Sequence, residues 1–402
     1  MINLETPRKF EQLVGQAHQV AQEIFRPISR KYDIAEHSYP KELDVLASLI
    51  DGMSEGGGSG AGAAGVRREN RENGAGNRNG SNLSTVLSII EMAWGDVGLL
   101  LTMPRQGLGN SAIASVATPE QLARYGGRWA AMAITEPEAG SDSASIRTTA
   151  ELDGDEYVLN GEKIYVTCGE RADLVVVWAT LDRSKGRAAI KSFIVERSNP
   201  GMKLERLEHK LGIRASDTAA FRLEECRVPK DALLGDPAVD VKQSFAGAMQ
   251  TFDNTRPLVA AMALGVARAA LDEARRLLAG AGAEIDYDRP ASSQVAGSAR
   301  LLAMQAEYEA AYLLTLQAAW MADNNRPNSL KASMAKAKAG RMCVQVTLEC
   351  LELCGAVGYS ERNLMEKWAR DAKILDIFEG TQQIQLLIVA RQLLGKSSAE
   401  LK

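Results

Sequence analysis

A short acidic motif near the carboxyl end of the chain, Glu379-Gly380-Thr381, has residue types suited to proton transfer. A glutamate with a reference pKa of about 4.3 becomes an effective general base when burial raises its pKa by several units. The same acid would also stabilise the start of the following helix, because Thr381 can cap that helix and negative charge favours its dipole. The residues alone leave both interpretations of Glu379 open.

Two other polar segments are candidates for ligand binding. The sequence MAITEPEAGSDSA occupies 132–144, and FDNTRP occupies 252–257. Polar residues such as those of the first segment are also common in turns and at strand ends. Arg256 in the second segment also fits an exposed charge near a helix N-terminus. Spacing by itself does not separate binding from these structural roles.

Metal-dependent and histidine-based chemistry is poorly supported. The chain has only three histidines, and none has a spacing typical of a metal site. Cys343, Cys350 and Cys354 fall on one face of a predicted helix, which suggests a ligand cluster at first sight. Free cysteine is, however, most often a small buried side chain. We therefore expect no metal site and no disulfide framework.

Composition excludes several classes of protein. The 402 residues are 46% apolar and 24% charged, with a formal net charge of −4, which is typical of a globular protein and gives no basis for nucleic-acid binding. The most apolar stretch, near 83–103, carries Glu91 and Asp96, so we expect no membrane insertion. The first twelve residues lack the segments of a secretory signal. A cytoplasmic location is predicted.

The pattern of elements predicts three domains. Residues 1–130 are expected to be helical, apart from a Gly- and Asn-rich stretch at 54–82. This stretch follows no strand and lacks the Gly-Lys-Ser/Thr ending of a phosphate-binding loop, so we interpret it as a flexible surface loop. Residues 131–240 have the periodicity of strands, including a hairpin with Asn160-Gly161 as its turn. Residues 241–402 predict a four-helix bundle, with helices at about 257–279, 295–323, 329–354 and 382–394.

Four motifs on this framework resemble the acyl-CoA dehydrogenase family. They are the segment 132–144, the strand ending KIYVTCG, FDNTRP, and DAKILDIFEGTQQIQ at 371–385. They occur in the family's order over essentially the whole chain. The resemblance implies an α+β, mostly α fold with an N-terminal helical domain, a middle β domain and a C-terminal four-helix bundle.

The resemblance also implies a reaction. Glu379 would be the base that removes the α-proton of an acyl-CoA thioester, FAD would take a hydride from the β-carbon, and the trans-2-enoyl-CoA would be the product. Electrons would then pass to an electron-transfer flavoprotein. Some members carry the base at the position of Thr255, which cannot serve as one. Two alternatives stay open: a flavin oxidase on the same scaffold, and a non-catalytic subunit that completes another chain's FAD site.

The resemblance assigns binding residues one by one. Those for FAD are Met132, Ile134, Thr135, Gly140, Ser141, Tyr165, Val166, Thr167, Thr381 and Gln383. Those for acyl-CoA are Ser141, Asp253, Arg256 and Gly380. Tyr165 stands where most relatives have tryptophan and would pack on the flavin.

Two segments depart from the family pattern. Homotetrameric relatives carry an arginine-containing stretch and a glutamine- and glycine-rich stretch that reach a neighbouring subunit's FAD. This chain instead has GAGAEIDYDRPASSQ at 280–294, with Asp286 and Asp288, and ELCGA at 352–356. We therefore expect a tetramer, with the hypothesis of an α2β2 assembly in which a sister acyl-CoA dehydrogenase subunit supplies the missing contacts.

Overall fold

The computed structural model describes residues 6–48, 80–105, 108–239, 246–397 and residue 400, and only the backbone within 246–254. The loop predicted at 54–82 lies outside the described residues as far as 79. Its last two residues are helical, because α3 begins at Ser81.

The amino-terminal part is helical, as its 3.6-residue apolar periodicity predicts. α1 passes through a π-helical turn at Ala21–Phe25 directly into α2. The helices that precede the sheet are α1 (Arg8–Val20), α2 (Arg26–Ile34), α3 (Ser81–Leu100), α4 (Leu108–Val116) and α5 (Pro119–Tyr125), with a further helical stretch at 42–48.

α3 is apolar enough, by length and composition alone, to cross a membrane, but 61% of its most apolar window is buried inside the protein. Its buried face, which includes Val86 and Ile90, belongs to the largest hydrophobic core. Its first turn is capped from elsewhere in the chain, because the Asp323 carboxylate accepts hydrogen bonds from the backbone N–H groups of Gly80, Asn82 and Leu83 at 2.8–3.1 Å. α3 therefore has the packing of a core helix.

The described residues of the middle region form one curled, seven-stranded sheet. β4 is buried along its whole length, with β1 parallel to it and β5 antiparallel. β3 pairs with both β2 and β7. The strands are β1 (Ala130–Ala133), β2 (Thr149–Asp153), β3 (Glu156–Thr167), β4 (Leu174–Thr180), β5 (Ile190–Glu196), β6 (Met202–Leu207) and β7 (Thr218–Pro229).

The predicted hairpin at Asn160-Gly161 is wrong. β3 runs through both residues as one strand, and the chain reverses earlier, where Gly154 has a φ of 64° between β2 and β3. Gly161 serves close packing instead, since a Cβ there would lie 2.5 Å from the Thr148 hydroxyl oxygen. The Asn160 side chain bonds across to Glu225 at a register shift. The dipeptide predicted as a turn therefore lies at a bulge within β3.

The carboxyl-terminal part is a helical bundle, and its long helices agree with the predicted ranges, except that the first begins at Ala246 rather than at about 257. α6, α7 and α8 supply most of the largest core, and α8 also contacts the last helix. The bundle predicted from the apolar spacing is confirmed. Its elements are α6 (Ala246–Ala279), α7 (Ala296–Asp323), α8 (Ser329–Leu353), α9 (Gly355–Tyr359), α10 (Met365–Ala372) and α11 (Gln382–Leu394).

The boundaries between the helical and sheet regions lie near the predicted ones. β1 starts at Ala130, and α6 starts after the undescribed residues 240–245. The exact domain limits of 1–130, 131–240 and 241–402 stay predictions. Cys343 and Cys350 are buried free thiols and Cys354 is partly buried. This confirms that the cysteine stripe is an apolar packing feature.

A buried ionic cluster joins the regions on which the site depends. The Lys367 ammonium on α10 lies 2.8 Å from Asp96 of α3 and 2.5 Å from Asp371, and all three side chains are almost fully buried. Asp371 also accepts a hydrogen bond of 2.5 Å from the backbone N–H of Ile213, in the loop between β6 and β7. Burial alone would lower the pKa of Lys367, but the two carboxylates outweigh it and raise that pKa. Lys367 is therefore charged at neutral pH, whereas burial raises the pKa of Asp371 against the attraction of that ammonium.

Replacing Lys367 should be strongly destabilising. Lys367→Met leaves two buried carboxylates without their cation, and breaking such a pair typically costs about 3–5 kcal/mol. Urea unfolding followed by tryptophan fluorescence measures the loss. The exposed pair Arg124–Asp231 gives the control, since Arg124→Met should cost less than about 1 kcal/mol. A Lys367→Met loss no larger than the control would contradict a structural role for the cluster.

Candidate active site

The Glu379-Gly380 turn, directly before α11, has an unusual backbone. Glu379 has a φ of 55° and Gly380 a φ of 85°, so two consecutive residues lie in the left-handed region. A non-glycine residue there is disfavoured by roughly 1–2 kcal/mol and persists only where its surroundings hold it. Thr381 caps α11 by accepting a hydrogen bond from Ile384 N–H at 3.4 Å. The helix-cap interpretation of this motif thus applies to Thr381, and Glu379 is placed by the turn before it.

The Glu379 carboxyl group is set against α6. The Thr255 hydroxyl donates a hydrogen bond of 2.8 Å to Oε2 of Glu379. Burial is the largest influence on this group and raises its pKa, while the Thr255 hydrogen bond and the charges of Lys336 and Arg256 oppose that rise. The residue as a whole keeps partial exposure. A carboxylate that is sheltered, accessible and more basic than usual is suited to proton abstraction.

Of the residues predicted to bind acyl-CoA, Arg256 and Gly380 lie in this neighbourhood, whereas Ser141 lies beyond the end of β1. Arg256 is only 3% exposed, so the interpretation as an exposed helix charge is wrong. Its positive charge lowers the pKa of Glu379 and the pKa of Lys336. Asp253 lies on the backbone of α6, but its side chain is outside the described residues.

The predicted FAD residues of the first motif form a tight turn at the end of β1. Backbone hydrogen bonds of 3.2 Å join Glu136 and Ala139 in both directions. The Thr135 carbonyl accepts a hydrogen bond of 2.9 Å from Ile164 N–H, which ties the turn to β3. Met132, Ile134 and Thr135 are partly buried, whereas Gly140 and Ser141 are exposed. The turn therefore presents its polar tip to solvent.

A buried ion pair between Lys163 and Glu136 stabilises this turn. Lys163 of β3 is fully buried, and its Nζ donates to Oε1 of Glu136 at 2.7 Å and to the Ile134 carbonyl at 3.1 Å. Glu136 also accepts hydrogen bonds from the Thr148 hydroxyl and backbone N–H, at 2.6 and 3.0 Å. Burial lowers the pKa of Lys163 to about 8 against the opposing charge of Glu136. The pair fixes the turn relative to β3.

The end of β3 brings the second group of predicted FAD residues beside that turn. A register shift against β7 falls between Lys163 and Val166, and Tyr165 within it has a φ of 56°. The bulge leaves the Tyr165 ring 61% exposed, while Val166 is fully buried and Thr167 partly so. Bulges often redirect a side chain near a functional site. Here the result is an exposed aromatic ring next to an exposed polar turn.

The remaining predicted residues are placed differently. Gly380 and Thr381 are partly buried in the turn, and Gln383 on α11 is exposed. The fold therefore gathers the predicted residues into two neighbourhoods, one at the Glu379 turn and one on the β1 and β3 ends.

Four residues that support these neighbourhoods were missed from the sequence. Glu136 and Lys163 lie inside the quoted motifs but had no assigned role, and Lys336 and Gln385 lie beside the turn. A lysine at an inward position of a strand, or at a buried position of a helix, is the signal that would have found two of them.

Two of the three histidines meet in the fold, which their spacing did not indicate. The ligand atoms of Glu36, His37 and His209 lie within 4.8 Å of one another. Glu36 already contacts His209 Nδ1 at 2.8 Å and accepts a hydrogen bond from the Lys210 backbone at 3.0 Å. His209 is largely exposed. The hydrogen bonds of Glu36 to His209 and Lys210 join the helical and β regions and explain why these residues meet.

The segments that depart from the family pattern lie at the surface. Asp286 and Asp288 are both exposed, and the Asp288 N–H donates to the Asp286 carboxylate at 3.0 Å. Glu352 pairs with Arg300 at 3.1 Å. The first segment carries one exposed cation, Arg289, directly after Asp288, and the segment 352–356 carries none.

Known proteins share this order of a helical region, a sheet and a helical bundle. Residues 131–226 match the acyl-CoA dehydrogenase middle domain, and 245–394 match its C-terminal domain. The probable acyl-CoA dehydrogenase YngJ of Bacillus subtilis is 37% identical over 328 residues, covering 79% of this chain and 84% of that protein. The chain belongs to the acyl-CoA dehydrogenase family.

Other relatives extend the comparison. The mitochondrial short-chain specific acyl-CoA dehydrogenase of Bos taurus is 41% identical over 262 residues, which are 65% of this chain and 62% of that enzyme. The family consists of FAD-dependent oxidoreductases, and FAD is therefore the cofactor of this chain.

Solved structures resemble the whole fold. Butyryl-CoA dehydrogenase of Megasphaera elsdenii has a TM-score of 0.80 at 29% identity, covering 98% of this chain and 100% of that one. A structure described as the electron transferring flavoprotein of Acidaminococcus fermentans contains a chain with a TM-score of 0.80 at 31% identity, with the same coverage. The prolyl acyl carrier protein oxidase AnaB has a TM-score of 0.80 at 28% identity, covering 97% of this chain and 100% of that one.

Removing the Thr255 hydroxyl should make Glu379 more basic. The hydrogen bond from Thr255 lowers the pKa of Glu379 against the effect of burial, so Thr255→Val should raise that pKa. A 13C NMR titration of the glutamate carboxyl resonances, with Glu379 assigned by Glu379→Gln, measures the change. Thr255→Ser keeps the donor and should leave the pKa near the wild-type value. A lowered pKa in Thr255→Val would contradict the hydrogen-bond geometry.

Proposed function

We propose that the chain catalyses FAD-dependent α,β-dehydrogenation of an acyl-CoA thioester to the trans-2-enoyl-CoA, with Glu379 as the base. The observation that carries this proposal is the Glu379 carboxyl group, which is held by Thr255 beside α6 with a raised pKa. Family membership and the dehydrogenases among the relatives support the same reaction.

Glu379 acts first on the substrate's α-carbon. The C–H bond beside a thioester is a weak acid, so the carboxylate must be basic and close, and substrate that expels water increases its basicity further. The α-proton moves to Glu379, and negative charge develops on the thioester oxygen. The backbone N–H of Glu379, in its left-handed turn, is our candidate donor to that oxygen. Arg256 provides positive charge close to the same carboxylate.

The β1 and β3 ends fit FAD by their own geometry. Tyr165 offers an exposed ring of the kind that packs on a flat heterocycle, and the exposed tip at Ser141 offers polar groups beside it. We assign FAD contacts to these residues together with Thr135 and Thr167, the other predicted residues staying secondary candidates. When bound, FAD supplies the acceptor for the hydride that leaves the β-carbon.

The electron acceptor and the location follow from the same reasoning. An electron-transfer flavoprotein is the proposed acceptor, and the Acidaminococcus fermentans neighbour comes from a structure named for such a protein. A cytoplasmic location stays a prediction, as does a role in fatty-acid β-oxidation.

A flavin oxidase is the second candidate, because one structural neighbour is named as an acyl carrier protein oxidase. An oxidase would retain the same base and pass electrons to oxygen. Hydrogen peroxide produced at the rate of substrate turnover, with no need of an added acceptor, would favour the oxidase.

The surface segments at 280–294 and 352–356 lead to a proposal about assembly. Because Asp286, Asp288 and Glu352 replace contacts that relatives give to a neighbour's FAD, we propose a tetramer with a sister subunit of the same fold. Such a subunit would donate the missing contacts, and this chain would contribute Glu379.

Glu379→Gln should abolish turnover while leaving the fold and cofactor in place. Loss of a positioned general base typically costs on the order of 10²–10⁴-fold in rate. Steady-state reduction of an artificial acceptor measures turnover, and flavin absorbance of the purified protein measures FAD content. Glu361→Gln, an exposed acid preceding α10, is the matched control and should keep full activity. Unchanged turnover in Glu379→Gln would refute the proposed base and favour a non-catalytic subunit.

The partner requirement and substrate class can be tested together. The chain, purified with and without a co-purifying sister, is mixed anaerobically with short, long, branched and steroid-side-chain acyl-CoAs, and flavin bleaching is recorded. We expect full FAD occupancy and bleaching only with the sister present. A homotetramer saturated with FAD on its own would remove the need for a sister subunit.

A further inference from the structure

Lys336, on α8, is a buried cation that the proposed reaction does not use. Its side chain is 1% exposed, and its Nζ donates a hydrogen bond of 2.7 Å to the Gly380 carbonyl. Burial lowers the pKa of Lys336 to about 8, although the carboxylates of Asp376 and Glu379 oppose the shift. Burying an ammonium group is costly unless it is paired or hydrogen-bonded, so its place beside the turn needs an explanation.

Gln385 makes a second contact with the same turn. It is fully buried on α11, and its Nε2 donates to the carbonyls of Glu379 and Gly380 at 2.9 and 3.2 Å. A Cβ on Gly380 would lie 2.5 Å from this Nε2. The amide therefore packs directly against Gly380, whose φ of 85° also disfavours any other residue at this position.

Together these contacts surround the strained backbone. Both carbonyls of the left-handed pair accept hydrogen bonds from buried side chains, and Lys336 reaches from a different helix than Gln385. A left-handed glutamate is stable only where its surroundings over-determine it. Loss of Gln385 would leave the Glu379 carbonyl without this donor, and loss of Lys336 would leave the Gly380 carbonyl with only the longer bond from Gln385. Either change would allow the turn to relax toward ordinary backbone angles.

We propose that Lys336 and Gln385 are positioning residues that clamp the Glu379-Gly380 turn. The proposal rests on the proposed function, in which Glu379 is the base. The charged groups that face this site are Lys336 from α8, Arg256 from α6 and Asp376 from the turn before Glu379.

The sign of the charge effect follows from the base role. A base works when deprotonated, so activity falls as pH drops through its pKa. Lys336 lowers the pKa of Glu379, and its removal should therefore move the acidic limb of the kcat/KM profile to higher pH. Misplacement of the carboxylate should also lower kcat, by on the order of 10²-fold for a shift near 1 Å.

The test compares variants of Lys336 and Lys338 on α8 with a variant of Gln385 on α11. In the full, FAD-loaded protein, Lys336→Met should lower kcat and shift the acidic limb upward, whereas Lys336→Arg, which keeps a cation and a donor, should restore the limb. Gln385→Met should lower kcat without shifting the limb as far, because it removes donors but no charge. Lys338→Met is the matched control, since Lys338 lies two residues along α8 and pairs with Glu307 at the surface. Thermal unfolding and flavin content are recorded for each variant.

The outcomes separate the clamp from the base. If Glu379→Gln is inactive but Lys336→Met and Gln385→Met both behave like Lys338→Met, the clamp is refuted and the proposed function stands. If Glu379→Gln keeps its activity, the proposed function itself fails. If Lys336→Met does not fold, Gln385→Met and Lys336→Arg still decide the matter, and a kcat unchanged in Gln385→Met refutes the clamp.

Discussion

The catalytic geometry depends on one backbone constraint, the left-handed conformation of Glu379 and Gly380. At an ordinary helix start, a carboxylate would face solvent. On this turn it lies against α6, where Thr255 orients it and burial raises its pKa. The Thr381 cap starts α11 directly after that turn, and Lys336 and Gln385 bond its carbonyls.

The β region contributes a second constraint of a different kind. A buried ion pair, and not packing alone, holds the turn after β1. A bulge in β3 exposes the side chain of Tyr165 to solvent. Ion pairs of this depth contribute little net stability, because desolvation offsets their attraction, but they are sensitive to geometry. Such a pair is well suited to fixing a turn whose polar tip must stay exposed.

Much of the fold was predictable because apolar periodicity determines the element type over long stretches. The long bundle helices and most strands follow it, and the family motifs indicated the candidate base. The hairpin error shows the limit: Asn160-Gly161 has the composition of a turn, but Gly161 is required by the approach of Thr148, a contact between residues distant in the sequence. Lys336 and Gln385 were missed for the same reason, since only the folded chain brings them to Glu379.

The tight fit at Gly161 links a strand interior to the cofactor end of the sheet. The hydroxyl that a side chain at 161 would displace is the one through which Thr148 bonds Glu136, and Glu136 in turn holds Lys163 under the β1 turn. Crowding at 161 would thus propagate through two polar contacts to the turn after β1, to which we assign FAD contacts. Harmful changes in this protein need not lie near its chemistry, and a flavin-poor variant need not have lost a flavin contact.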